Sequence, residues 1–136
     1  MKRTVLLNRH LSELVASLGH MDEIVVADAG LPVPPGVKVI DLAVSPGVPR
    51  LADVLKALRS ELVIETAIWA EEANPQVASM MQEEVQAWND VTGKPVAVRN
   101  LSHASFKERS ARSKAVVRTG EVTPYANIIL VSGVPF

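Results

Sequence analysis

The stretch Leu18-Gly-His-Met-Asp-Glu-Ile-Val-Val-Ala-Asp-Ala-Gly-Leu-Pro32 decides the fold. Its middle, Glu23-Ile-Val-Val-Ala27, is a short β-branched run and reads as a buried strand. Before it, apolar residues at Leu11, Leu14, Val15 and Leu18 keep the one-face spacing of a helix. Asn8 is placed to cap that helix, and Gly19 to end it in a left-handed conformation that needs no Cβ. After the strand, Asp28 to Gly36 is a loop by its proline and glycine density. Helix, strand and loop in this order are the unit of an α/β protein.

The rest of the chain repeats the alternation. Val37 to Leu42 reads as a second strand. Pro46-Gly-Val-Pro49 leads into a helix over Arg50 to Ser60, apolar at Leu51, Val54, Leu55 and Leu58. Glu61 to Ala70 reads as a strand. Asn74-Pro75 sets a cap and a first-turn proline before a helix to about Asn89. Gly93-Lys-Pro95 breaks the chain before a strand over Val96 to Arg99. Ser102 caps a helix through about Arg112, and Ala115 to Thr119 and Asn127 to Val131 are the last strands. The pattern predicts one three-layer α/β/α domain over residues 1–136 with a mostly parallel central sheet.

Composition narrows the function. The 136 residues are one domain's worth, with 48% hydrophobic and 21% charged, which excludes a disordered chain. Cysteine is absent, so a disulfide scaffold, a thiolate metal site and a cysteine nucleophile are excluded. Aromatic residues are 4% of the chain, with one tyrosine, and there are three histidines, His10, His20 and His103. The net charge of −1 lacks a cationic footprint for nucleic acid. Apolar runs reach about half a dozen residues against the roughly 18 of a membrane span, so a soluble, cytoplasmic protein is expected. A positive mean hydropathy of +0.19 in so small a domain suggests surface hidden in an oligomer.

Charge is segregated. Residues 61–90 hold seven acids and no Lys or Arg, whereas residues 99–118 hold six basic residues against Glu108. These are two solvated helix faces, or complementary faces between subunits.

Three constellations carry candidate chemistry. His20 and Asp28 flank the first strand, so they stand near its opposite ends, and spacing alone does not bring them together. An imidazole is a general acid or base near neutral pH, and ligands of open α/β sheets bind at the carboxyl ends of strands, where Asp28 falls. Thr123-Pro-Tyr-Ala-Asn127 offers a phenol and an amide, which suit a polyhydroxylated ligand. Ser102-His103 opens the basic helix, where a neutral imidazole can bond sugar hydroxyls. Each also has a plainer role, as surface histidine, turn residue or helix-end decoration. His10 reads as surface. Dinucleotide and P-loop glycine patterns, a paired-histidine zinc motif and a nucleophile elbow are all missing, so no metal or cofactor is expected.

Leu18-Gly-His20, Val25-Val-Ala-Asp-Ala-Gly-Leu-Pro32, Gly47-Val-Pro49, Gly120-Glu121 and Pro124-Tyr-Ala-Asn-Ile-Ile-Leu130 together resemble the ribose pyranase and fucose mutarotase family. The match runs in order over nearly the whole chain, and Gly30-Leu-Pro32 and Ala126 favour its ribose branch. The resemblance implies acid–base opening and reclosure of a sugar ring, interconverting β-pyranose and β-furanose D-ribose. It makes His20 the catalytic acid and Asp28, His103, Tyr125, Ala126 and Asn127 sugar-binding, Ala126 through its backbone. The general base stays open between Asp28, His103 and water. It implies a cytoplasmic, cofactor-free homodecamer with sites at subunit boundaries. The competing expectations are a fucose mutarotase-like activity, a non-catalytic sugar-binding module and, least favoured by the composition, an anion or nucleic-acid binder.

Overall fold

The structure is a computed structural model describing residues 1–136. Six strands form one sheet: β1 (Glu23–Ala27), β2 (Lys38–Asp41), β3 (Ile64–Ala70), β4 (Ala97–Leu101), β5 (Ala115–Arg118) and β6 (Ile128–Ser132). Their order is β2-β5-β1-β6-β3-β4. The β1–β5, β2–β5 and β3–β4 pairs are parallel, and β6 runs antiparallel to both β1 and β3. The sheet is therefore mostly parallel, with the last strand reversed at its centre.

Four helices complete the chain: α1 (Arg9–Ser17), α2 (Leu51–Arg59), α3 (Pro75–Thr92) and α4 (His103–Ser110). Strand side chains alternate between two faces. Ile24, Val26, Val117 and Leu130 pack with Leu14 of α1, Leu55 of α2 and Trp88 of α3. Val25, Val116 and Ile129 face the other way, onto Phe106 of α4 and Leu31 of the loop after β1. The expected three layers are present but unequal. Three helices cover one face; one helix and a loop cover the other.

The caps follow the sequence, with one correction. Asn8 accepts from the His10 and Leu11 amides, both at 3.0 Å. Asn74 accepts from Val77 at 2.8 Å, and Gly93 ends α3 with φ +67°. Gly19, however, is not left-handed: α1 ends on an extended Leu18, φ −75° and ψ 129°. The positive φ falls instead on Met21, at 69°. The Gly19 amide donates to Asp22 Oδ2 at 2.8 Å, so the turn closes on a side chain rather than on the helix carbonyls.

Element ends moved by a few residues where local bonds took over. The strand expected from Glu61 begins at Ile64, because the Glu61 and Leu62 amides still bond the Leu58 carbonyl. Helix α4 stops at Ser110 rather than Arg112. The charged segments pair within the chain but not with each other. Arg109 forks onto Glu23 at 2.7 and 3.0 Å, while Arg59 of α2 pairs with Glu84 of α3. Hydrogen bonding to Glu23 raises the Arg109 pKa further above its ordinary value.

Candidate functional site

The carboxyl ends of β1, β4 and β5 and the amino end of β6 share one edge of the sheet. Reversing β6 is what brings Asn127 beside Asp28, residues far apart in sequence. A cleft of about 510 Å³ opens there, lined by Asp28, His103, Glu121, Tyr125 and Asn127 with Leu31 and Pro124 among its apolar walls.

Asp28 and Asn127 hold each other. The Asp28 amide donates to Asn127 Oδ1 at 2.7 Å, and Asn127 Nδ2 donates to Asp28 Oδ2 at 3.0 Å. A backbone N–H can only donate and a carboxylate accepts, so the orientation of the Asn127 amide is fixed. The Gly30 amide donates to the other carboxylate oxygen at 2.9 Å. Each Asp28 oxygen thus keeps a lone pair for a hydroxyl in the cleft. Asn127 is 2% exposed, so its visible work is to aim Asp28.

His103 and Tyr125 form the opposite wall. Their rings meet edge to face, with centroids 4.9 Å apart and planes at 82°. The His103 amide donates to both oxygens of Glu72, at 3.0 and 2.9 Å, which ties the start of α4 to the end of β3. His103 Nδ1 is buried without a partner. Such an atom costs on the order of 1–3 kcal/mol, and native proteins keep few of them. Tyr125 has φ +61°, an unusual conformation for a side chain of that size. Strain of this kind concentrates at ligand sites. Ala126, between Tyr125 and Asn127, is buried in the core and does not line the cleft, and its amide donates to the Thr123 carbonyl at 3.3 Å.

Glu121 organises this loop, a role the sequence reading did not assign although Gly120-Glu121 was among its motifs. Its carboxylate accepts from Thr123 Oγ1 at 2.8 Å and from the Thr123 and Val122 amides at 3.2 Å. Leu51, at the start of α2, donates to it at 3.4 Å. Burial pushes the Glu121 carboxyl up, but the Thr123 hydroxyl and the three amides together hold it below its ordinary value. A depressed carboxylate stabilises the fold above its unfolded pKa, and that stability is lost as pH falls through the folded value. Glu121→Gln is expected to cost about 1–2 kcal/mol at pH 7. The gap to wild type is expected to shrink below pH 4.5, the ordinary value, and to close below the depressed one. Urea unfolding midpoints at pH 7, 4 and 3 check this. Glu61, also lowered, through hydrogen bonds from Lys2 and then Thr4, contributes equally to both proteins and cancels.

His20 is elsewhere. It stands before β1, at the sheet end opposite Asp28, and β1 alone is roughly 17 Å long. Its Nε2 lies 3.0 Å from Glu65 Oε2, and its side chain is 54% exposed. Four of the sequence-selected residues therefore converge with Ala126 between two of them, and His20 does not join them within one chain. His10 is an exposed residue of α1 with no role in the cleft.

A covered α/β sheet with a cleft at its strand ends, where a carboxylate, an imidazole and a phenol converge on apolar walls, has the shape and the polar groups that suit a small hydroxylated ligand. The chain belongs to the RbsD / FucU transport protein family, whose model matches residues 1–135. D-ribose pyranases of Aeromonas salmonicida (strain A449) and Variovorax paradoxus (strain S110) are each 50% identical to it over 100% of both chains. Among solved structures, Bacillus subtilis RbsD complexed with D-ribose superposes with a TM-score of 0.89 at 42% identity over 100% of both chains. The fucose mutarotase of Streptococcus pneumoniae in complex with L-fucose gives 0.80 at 25% identity, over 98% of this chain and 99% of that one.

Proposed function

We propose that this protein is an isomerase that interconverts the β-pyranose and β-furanose forms of D-ribose. The convergence of Asp28, His103 and Tyr125 in the cleft carries the reading, and the full-length likeness to D-ribose pyranases names the sugar. In the proposed reaction a proton reaches the ring oxygen as the anomeric hydroxyl loses one. The bond from the anomeric carbon to the ring oxygen breaks and leaves an open aldehyde. The hydroxyl one carbon closer then adds to that aldehyde, returning both protons and closing the furanose ring. Asp28, held by Asn127 and Gly30, accepts sugar hydroxyls; Tyr125 and His103 complete the grip. His20 is the acid, with Asp28, His103 or a water as the base. Proton transfer of this kind contributes roughly 10²- to 10⁴-fold.

Because His20 lies at the far end of β1, the reading requires it from a second copy. A homo-oligomer, on the family resemblance a decameric ring, brings one protomer's His20 to its neighbour's cleft. The exposure of His20 supports that assembly. The same reading takes residues 1–136 as a single domain, since one sheet unites every element, and places the protein in the cytoplasm. No helix is long and apolar enough to cross a membrane. Nucleic acid has no part in it: Arg109 and Arg118 of the basic segment are already engaged by Glu23 and Asp41.

Saturation-transfer NMR on D-ribose tests the reading. Acceleration of pyranose–furanose exchange by the protein is the expected result, with a smaller effect on L-fucose. Binding of ribose with no acceleration overturns it in favour of a non-catalytic sugar module.

A further inference from the structure

The far end of the sheet, away from the cleft, carries three departures from regular geometry within a few residues of one another. The first is a bulge in β3. Ile64 lies opposite Ser132 of β6 and Thr66 lies opposite Val131, so Glu65 is an extra residue with no partner. The burial pattern agrees: Ile64 and Ala67 both face the three-helix core, which an unbroken strand would not allow. Bulges re-aim a side chain and are frequent beside functional sites. The second departure is the positive φ of Met21, the residue after His20. The third is the way Ser132 staples the two together. Its carbonyl accepts from the Met21 amide at 2.9 Å, its amide donates to the Asp22 carbonyl at 2.8 Å, and it pairs with Ile64 across the sheet. The Gly133 amide, bonded to the Val63 carbonyl at 2.9 Å, fixes the other side of the bulge.

The outcome of these three features is a single contact, His20 Nε2 to Glu65 Oε2 at 3.0 Å. The other acids at this end are committed elsewhere. Asp22 accepts from the Gly19 amide and faces Lys114 Nζ at 3.6 Å. Glu23 holds Arg109, with Arg112 at 3.9 Å.

We propose that Glu65 is a positioning residue for His20, fixing the imidazole through Nε2 so that Nδ1 is the nitrogen presented to the sugar. A carboxylate on Nε2 keeps the neutral ring's proton there, so the second proton, which the ring takes up to become the acid, sits on Nδ1 and is the one delivered to the ring oxygen, leaving the neutral Nε2–H ring behind. The bulge is then the device by which an acid from the middle of an apolar strand reaches a histidine that follows a different helix. This rests on the reading of His20 as the acid.

The test is Glu65→Gln, which keeps the side-chain shape on an exposed surface and removes the charge. Ribose ring exchange at saturating sugar is expected to fall about ten- to a hundredfold with KM unchanged. On a His20→Ala background the same substitution is expected to change nothing further, because a positioning residue has nothing left to position. Equal losses on both backgrounds, or a wild-type rate in Glu65→Gln, overturn the proposal. A second readout needs no sugar. Nitrogen-15 spectra of the neutral His20 ring should show the proton on Nε2 in wild type and a mixture of tautomers in Glu65→Gln. Identical spectra overturn the pairing. If the spectra differ as expected while wild type fails to accelerate ring exchange, the activity reading falls and the pairing stands.

Discussion

Mixing His20→Ala chains with Asp28→Asn chains is expected to restore ribose ring exchange that neither variant shows alone. Each substitution by itself should lower the exchange rate by roughly 10²-fold or more, since one removes the acid and the other the charged hydroxyl acceptor. The two residues stand at opposite ends of β1, so no single chain brings them to one sugar. If a site draws His20 from one protomer and Asp28 from its neighbour, random co-assembly of equal amounts leaves about one quarter of the sites intact. Saturation-transfer NMR on the co-assembled protein should therefore read about a quarter of the wild-type rate. An inert mixture would mean that the two residues do not work at one shared site, and the subunit-boundary arrangement would fall. Neither substitution disturbs the core: His20 is exposed, and an asparagine at position 28 keeps the side-chain shape and accepts through its one carbonyl oxygen from either Asn127 or Gly30, losing the other bond.

The second large effect lies in the backbone beside the cleft. Gly120 packs directly against the turn formed by Ser45 to Pro49. Its amide donates to the Pro49 carbonyl at 2.8 Å, and its carbonyl accepts from Gly47 at 2.6 Å. A Cβ there would stand 2.6 Å from the Val48 carbonyl carbon and 2.7 Å from the Ser45 oxygen, with the Val48 oxygen closer still. All are backbone atoms and none can rotate away. Gly120→Ala is expected to cost about 3 kcal/mol or more. The thermal midpoint should fall on the order of 10 °C. Ring exchange should fall with it, because the next residue is Glu121, which holds the Tyr125 loop. Gly30→Ala is the control. Its nearest neighbour would be Asp28 Oδ1 at an ordinary 3.7 Å, so stability should stay within about 0.5 kcal/mol of wild type. Chemical denaturation of the three proteins checks both values, and a wild-type midpoint for Gly120→Ala would show that the turn does not pack there.

Local signals made most of the fold legible. Val25 and its neighbours are β-branched and flanked by turn residues, and Asn8, Asn74 and Ser102 each cap the helix expected of them. Gly19 misled because a glycine after a helix has two uses. Here the turn was closed by the Asp22 carboxylate, and the left-handed residue moved to Met21. Asp28, His103, Tyr125 and Asn127 could be selected one by one as hydroxyl-binding residue types. Glu121 and Glu65 could not. Glu121 acts through hydrogen bonds to its own loop and to Leu51, far back in the chain. Glu65 gave one faint signal, an acid interrupting the apolar run from Leu62 to Ile68, which reads equally well as a solvent-facing strand residue.

What the sequence determined by itself was therefore the alternation of elements, the covered sheet, the small set of groups able to do chemistry, and the family. Its short-range patterns record propensities, caps and periodicities, which depend on neighbours in the chain. The tertiary structure decided which of those groups meet. Reversing β6 put Asn127 on Asp28, crossing to α4 put His103 on Tyr125, and one bulged residue put Glu65 on His20. It also separated His20 from the cleft by the length of a strand. Those outcomes depend on strand order, direction and register, which arise only when distant segments compete for partners across the sheet.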